Sequence, residues 1–251
     1  MKAAYLKNAV PSMFTLGNLL CGFLAVANVI EGSEGAMISA AWWIIIAAIM
    51  DALDGKVARL TGTASRFGVE FDSIVDAVSF GMAPAVLFYQ YALSSGGRIG
   101  LALGFCFLAA GTIRLARFNI TATTGEKSGF TGMPIPAGAG LLASYVLFNE
   151  KVWGGLHTYD FALGLVVLTS LAMVSRFRYA AFPKMGFRSR KSTIKTVLFI
   201  GNIILIAFLP DEVLFLEGII YLFSGPVCFL FAPAVGMVFH RANGAGINKR
   251  V

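Results

Sequence analysis

Eight apolar runs, each close to the length of a membrane-crossing helix, leave this chain little choice of fold. They fall at about 12–30, 36–54, 73–93, 98–118, 133–149, 160–175, 195–210 and 213–239. A helix takes ~20 residues to cross the hydrocarbon core, so eight crossings use ~160 of the 251 residues and leave only short connections. A membrane barrel would instead show period-two alternation in ~10-residue units. Charged residues make up 13% of the chain, against about 25% in soluble domains, so an ordinary solvated surface cannot be built. The expectation is an all-α integral membrane protein of about eight transmembrane helices, forming one domain over 1–251. A disordered chain, a secreted disulfide scaffold and a nucleic-acid-binding module all fit poorly. Cys21, Cys106 and Cys228 are odd in number and sit inside apolar runs, where a free cysteine serves as small apolar filler. Gly225-Pro226 predicts a kink in the last run.

The placement of charge orients the chain. With the N-terminus in the cytoplasm and the runs alternating, only Arg98 and Lys151 of the 20 basic residues fall on the far side. The opposite orientation would be heavily penalised, because Lys and Arg stay on the cytoplasmic side of short loops. Both termini are then cytoplasmic. Lys2, Lys7 and Ala25-Val26-Ala27 also have the form of a signal peptide; the charge split favours keeping this segment as the first span. The basic run 188–195 reads as a cytoplasmic loop able to touch anionic headgroups. His157 and His240 lie far from the four aspartates at 51–76.

A charged side chain at membrane depth is costly and is therefore a functional candidate. Asp51 and Asp54 close the second run, and Asp72 and Asp76 open the third. Their spacings, i,i+3 and i,i+4, place each pair on one face of its helix, and a short polar loop allows the two pairs to meet. Four converging carboxylates need protons or cations between them. With no His or Cys nearby, hard divalent cations such as Mg²⁺ fit best, bound by carboxylates together with substrate phosphates. Gly55 and Ala58 leave the helix surface open to a flat group. Lys56, Arg59 and Arg66 add the positive charge that a phosphate-bearing substrate requires. Taken singly, each feature has a structural explanation, as a helix-dipole partner, a packing residue or a topology signal. Together, at these spacings, they point to a metal–phosphate site.

The stretch Asp51-x2-Asp54-Gly55-x2-Ala58-Arg59-x8-Gly68-x3-Asp72-x3-Asp76 resembles, at every fixed position, the signature of the CDP-alcohol phosphotransferase family. Further segments are similar to one branch, the membrane-embedded phosphatidylserine synthases. They are 11–22 with Thr15 and Asn18, 76–85, 114–119, 130–137 and 175–179, and the resemblance covers about 8–185. One departure is Arg178-Tyr179-Ala-Ala-Phe182, where the branch often reads Arg-Tyr-Pro-Ser-Phe.

The resemblance implies a six-helix core with two additional C-terminal helices at about 195–240. It implies that the phosphatidyl group of CDP-diacylglycerol, or of an archaeal CDP-ether lipid, passes to the hydroxyl of L-serine, giving phosphatidylserine and CMP. It makes Asp51, Asp54, Asp72 and Asp76 ligands of Mg²⁺ or Mn²⁺, with two ions per site, and Asp76 the base for the serine hydroxyl. CDP would lie against Gly55, Ala58, Arg59 and Gly68, near Lys56 and Arg66, with Thr15 and Asn18 as further candidates. For serine or the transferred phosphate, arginine offers a planar donor fork; Arg114 and Arg117 with Asn119, and Arg176 with Arg178, are the candidates. The family also implies a homodimer. Two other readings stay open: another acceptor, such as glycerol 3-phosphate or inositol phosphate, and a cation transporter using the aspartates as an ion path.

Overall fold

The computed structural model describes residues 2–33, 35–61, 66–123, 131–179 and 190–244. Among them the chain is helical, with no strand and one isolated antiparallel bridge, Thr131 with Arg178. The helices are α1 (Lys2–Glu31), α2 (Ala36–Thr61), α3 (Arg66–Asp76), α4 (Ala83–Phe88), α5 (Gly97–Thr123), α6 (Ile135–Trp153), α7 (Tyr159–Val174), α8 (Arg190–Phe208) and α9 (Pro210–Gly244). Each of the eight apolar runs thus lies on helix. The third run is more elaborate than expected. A π-helical segment, Ala77–Met82, separates α3 from α4, and a second one, Tyr89–Leu93, comes after α4.

Among the described residues, four stretches are long and apolar enough to cross a bilayer: Met13–Glu31, Ala36–Val57, Phe67–Ile120 and Pro210–Leu230. The third, at 54 residues, turns back on itself. Gly97, with φ +56°, breaks the helical path, and Gly100 then lies against Leu93, Gly104 against Ala85 and Tyr89, and Gly81 against Leu108. Pairs that approach each other from both ends of the sequence define an antiparallel hairpin. The expected count of eight spans therefore does not follow from length and apolarity alone. α7 has 16 residues, about 24 Å at 1.5 Å per residue, against ~30 Å of hydrocarbon. α6 carries Asn149, Glu150 and Lys151 in its last turns.

α6 runs through the core. Leu141, Leu142, Ala143, Tyr145, Val146 and Leu147 are all buried, and α6 packs against α2, α4 and α9. Its ends are written in its sequence. Pro134 precedes it and Pro136 occupies its first turn, where a missing N–H costs nothing. Gly154, at φ +68°, closes it with N–H bonds back to the Asn149–Glu150 carbonyls, as left-handed glycine caps do. α9 is continuous through Gly225-Pro226.

Candidate functional site

Asp51, on α2, and Asp72 and Asp76, on α3, meet where the two helices converge. Each offers a carboxylate oxygen, and these oxygens lie within 4.8 Å of one another. Asp54 stands beside this group without joining it. Its Oδ2 accepts a 2.5 Å hydrogen bond from Thr15 Oγ1 on α1, while its Oδ1 is buried with no hydrogen-bond partner among the described residues. Asp76 accepts a 3.4 Å bond from Asn18 Nδ2, and Asn18 Oδ1 is likewise buried and unpartnered among them. Buried oxygens without donors are expensive, and a hard cation is the partner such a set lacks. The donor set therefore fits a divalent metal.

α1 is held against this site by a close approach. A Cβ on Gly22 would stand 2.8 Å from Ser79 Cα, so only glycine lets the helix sit this near the π segment. Ser79 Oγ donates to the Asn18 carbonyl at 3.0 Å, one turn above the Asn18–Asp76 contact. The π segment begins immediately after Asp76; such i→i+5 turns re-aim the side chains beyond them and are frequent at functional sites.

The surfaces around the aspartates differ. A Cβ added to Gly55 would meet nothing within 4 Å, and Lys56 and Gly68 are exposed, which leaves this face of α2 open. The side chains of Ala58, Arg59 and Arg66, and of the basic residues in 188–195, lie outside the described residues, as do Ala180–Phe182. On the other flank, an apolar groove of about 1170 Å³ runs between α1, α3 with its π segment, and α5. Leu16, Leu20, Phe23, Ala77, Leu115 and Ala116 line its length, and Glu70, Ser73, Thr112 and Asn119 form its polar lining. Ser73 and Ala77 each stand directly after a site aspartate in sequence.

The arginines separate. Arg114 is only 7% exposed, and its charge acts on Asp76. Arg117, three residues on, is exposed, and its Nη1 donates to the Val174 carbonyl at 2.8 Å, satisfying an orphan carbonyl at the end of α7. Asn119 donates to Ser73 Oγ at 2.9 Å and so ties α5 to α3. Arg176 and Arg178 are exposed; no described interaction joins their side chains to the aspartates. The sequence pattern thus grouped residues that the structure uses separately.

Two tyrosines from distant segments of the chain pack against each other. Tyr179 is buried; its hydroxyl donates to the Leu222 carbonyl at 3.0 Å, and its ring packs on that of Tyr221 with centroids 5.3 Å apart. Burial pushes the Tyr179 hydroxyl up to about 12, so it remains a donor at neutral pH. Tyr179 stands in a motif, whereas Tyr221 lies in a largely apolar run.

Residues 8–174 match the sequence model of the CDP-alcohol phosphatidyltransferase family. The chain belongs to that family. It is 37% identical over 236 residues to a CDP-diacylglycerol–serine O-phosphatidyltransferase of Helicobacter pylori, covering 94% of this chain and 96% of that protein. A protein of the same name from Bacillus subtilis is 34% identical over 74% of this chain and 97% of its own length. An archaetidylserine synthase of Methanothermobacter thermautotrophicus is 34% identical over 71% of this chain and 72% of that protein. The family match ends at residue 174, before α8 and α9. The protein is a multi-pass membrane enzyme of this family, with an aspartate cluster able to hold a metal.

Proposed function

We propose that this enzyme transfers the phosphatidyl group of CDP-diacylglycerol, or of the corresponding ether lipid, to L-serine, releasing CMP. The observation that carries this reading is the meeting of Asp51, Asp72 and Asp76 within 4.8 Å, beside an apolar groove. A lipid diphosphate presents the same pairing of a charged head and apolar chains. The names of the relatives support serine as the acceptor.

The roles come from chemistry and position. Asp51, Asp54, Asp72 and Asp76 would hold Mg²⁺ or Mn²⁺, two ions in all, and these would neutralise diphosphate charge and stabilise the departing phosphate. Thr15 and Asn18 fix the carboxylates that they touch. Cytidine would lie on the open face at Gly55 with Ala58 and Gly68, and Lys56, Arg59 and Arg66 would hold the phosphates. The lipid chains would occupy the groove. The serine oxygen bonds to the lipid-side phosphorus, the anhydride bond to CMP breaks, and the serine proton passes to Asp76. Phosphoryl transfer depends mainly on such positioning and charge neutralisation. Arg114, buried beside Asp76, supplies a planar fork for the serine carboxylate.

The chain forms a single membrane domain of eight spans, with both termini and the site on the cytoplasmic side, and works as a homodimer. The positive-inside distribution supports the orientation. The test of function is CMP release by the purified protein across a panel of alcohols. Serine-dependent release and a phosphatidylserine product are expected; release driven by glycerol 3-phosphate or inositol phosphate instead would overturn the assignment.

A further inference from the structure

We infer that Asn119 is a positioning residue for the metal site: its hydrogen bond to Ser73, made across the groove from α5, holds α3 where Asp72 and Asp76 grip a divalent cation. The inference rests on reading the aspartates as ligands of that cation.

α3 needs holding. It has 11 residues, yet it contributes two of the three carboxylates that meet within 4.8 Å. Such ligands serve only when kept within about 0.5 Å and 10–20° of their productive positions. The apolar side chains of α3 give little help. Phe67, Val69 and Ile74 are exposed, and the Phe67 ring stacks on Phe71 of the same helix, so that contact fixes nothing outside α3. One side of the helix packs on α1, where Asn18 reaches Asp76 at 3.4 Å. Another side faces the apolar groove that parts it from α5. A short helix gripped on one side turns easily about its axis. Any turn carries Asp72 and Asp76 together, because i,i+4 residues share a face.

The Asn119–Ser73 bond spans that gap. Both residues line the groove, and Asn119 Nδ2 donates to Ser73 Oγ at 2.9 Å. The direction of the bond is settled by its neighbour. A hydroxyl has one proton to give, and Ser73 gives it to the Val69 carbonyl, 3.0 Å away and one turn back. Ser73 therefore meets Asn119 as an acceptor, and the amide must arrive as a donor. Ser73 directly follows Asp72 and stands three residues before Asp76, so a tie at this point acts on both ligands through a short lever. Its other end is firm. Arg117 Nη1 donates to the Val174 carbonyl at 2.8 Å, fastening the end of α5 to α7. The tie runs from α7 through α5 to the helix that bears the ligands.

The test reads cation binding itself. Mn²⁺ would be titrated into the purified full-length protein in detergent, without substrate, and the free ion followed by electron paramagnetic resonance. Asn119→Ala and Ser73→Ala should each weaken Mn²⁺ binding by about three- to tenfold, the worth of one neutral hydrogen bond. The double variant should bind no more weakly than either single one, since both remove the same bond. Ser73→Thr keeps the hydroxyl and should bind as the wild type does. Asn119→Leu, which keeps the volume without the donor, serves if the alanine variant does not purify. A merely structural tie would lower the unfolding temperature of these variants and leave their Mn²⁺ affinity unchanged, and that result would overturn the inference. So would losses that add in the double variant, or a loss in Asn119→Ala that Ser73→Ala does not share. Failure of the wild type to bind Mn²⁺ would show itself separately and would remove the metal reading as well.

Discussion

Thr15 donates a 2.5 Å hydrogen bond to Asp54, joining α1 to α2 across 39 residues of sequence. Both side chains are buried, and the second oxygen of Asp54 points to no donor among the described residues. Partners of this kind orient a ligand and tune what it binds; their loss typically costs about 10–100-fold in metal affinity or activity. Thr15→Val keeps the shape and removes the donor. The Mn²⁺ concentration giving half-maximal CMP release should rise by about that factor. An unaltered Mn²⁺ requirement would show that the bond serves only the packing of α1 on α2.

Asp76 receives the Asn18 amide at 3.4 Å and lies beside Arg114. General-base assistance is worth about 10²–10⁴-fold, and Asp76→Asn should lose at least that much in turnover. Binding of CDP-diacylglycerol, measured at equilibrium, should survive, since Asp51, Asp54 and Asp72 remain. Normal serine-dependent CMP release in this variant would end the assignment of Asp76 as base.

Much of this site was legible from spacing. Asp51 with Asp54, and Asp72 with Asp76, are pairs whose helical geometry is local, and adjacent helices had to bring them together. Apolar length found every helix. Partner choice was beyond the reach of spacing. Arg114 and Arg117 share a face by sequence, yet one is buried beside Asp76 and the other reaches the end of α7. Arg117 turns to α7, far along the chain. The π segment after Asp76 has no sequence signature either; it accompanies the tight Gly22–Ser79 approach.

Two glycines make opposite predictions. Gly22→Ala places a methyl group against Ser79, 2.8 Å from its Cα, and overpacking of this sort costs about 1–3 kcal/mol. Thermal unfolding in detergent should begin at a lower temperature, with activity reduced as α1 moves. At Gly55 the added methyl meets nothing, so Gly55→Ala should unfold at or slightly above the wild-type temperature, alanine being the better helix former by about 1 kcal/mol. Its KM for CDP-diacylglycerol should nonetheless rise, because the methyl enters the face proposed to take cytidine. A stable Gly55→Ala enzyme with an unchanged donor KM would move the nucleotide elsewhere.

The carboxylate set predicts strict metal dependence. Exhaustive chelation should abolish CMP release, and Mg²⁺ or Mn²⁺ should restore it. Full activity in the chelated enzyme would remove the metal reading of Asp51, Asp72 and Asp76.

The groove between α1, α3 and α5 gives the last prediction. Ala116 lies on its wall with an exposed side chain, away from the aspartates in sequence and outside their hydrogen bonds. A tryptophan there would fill part of the ~1170 Å³ without touching the diphosphate end. Each buried methylene of a lipid chain contributes about 0.8 kcal/mol, so blocking a few of them should weaken a long-chain donor by roughly tenfold or more. A short-chain, water-soluble CDP-lipid never fills the groove and should react as before. Ala116→Trp should therefore raise the KM for the long-chain donor alone, leaving the serine KM and short-chain kinetics intact. Equal kinetics for both donors would mean that the lipid chains lie on another face of the bundle, and a parallel loss with both would mean that the tryptophan had disturbed the aspartate site itself.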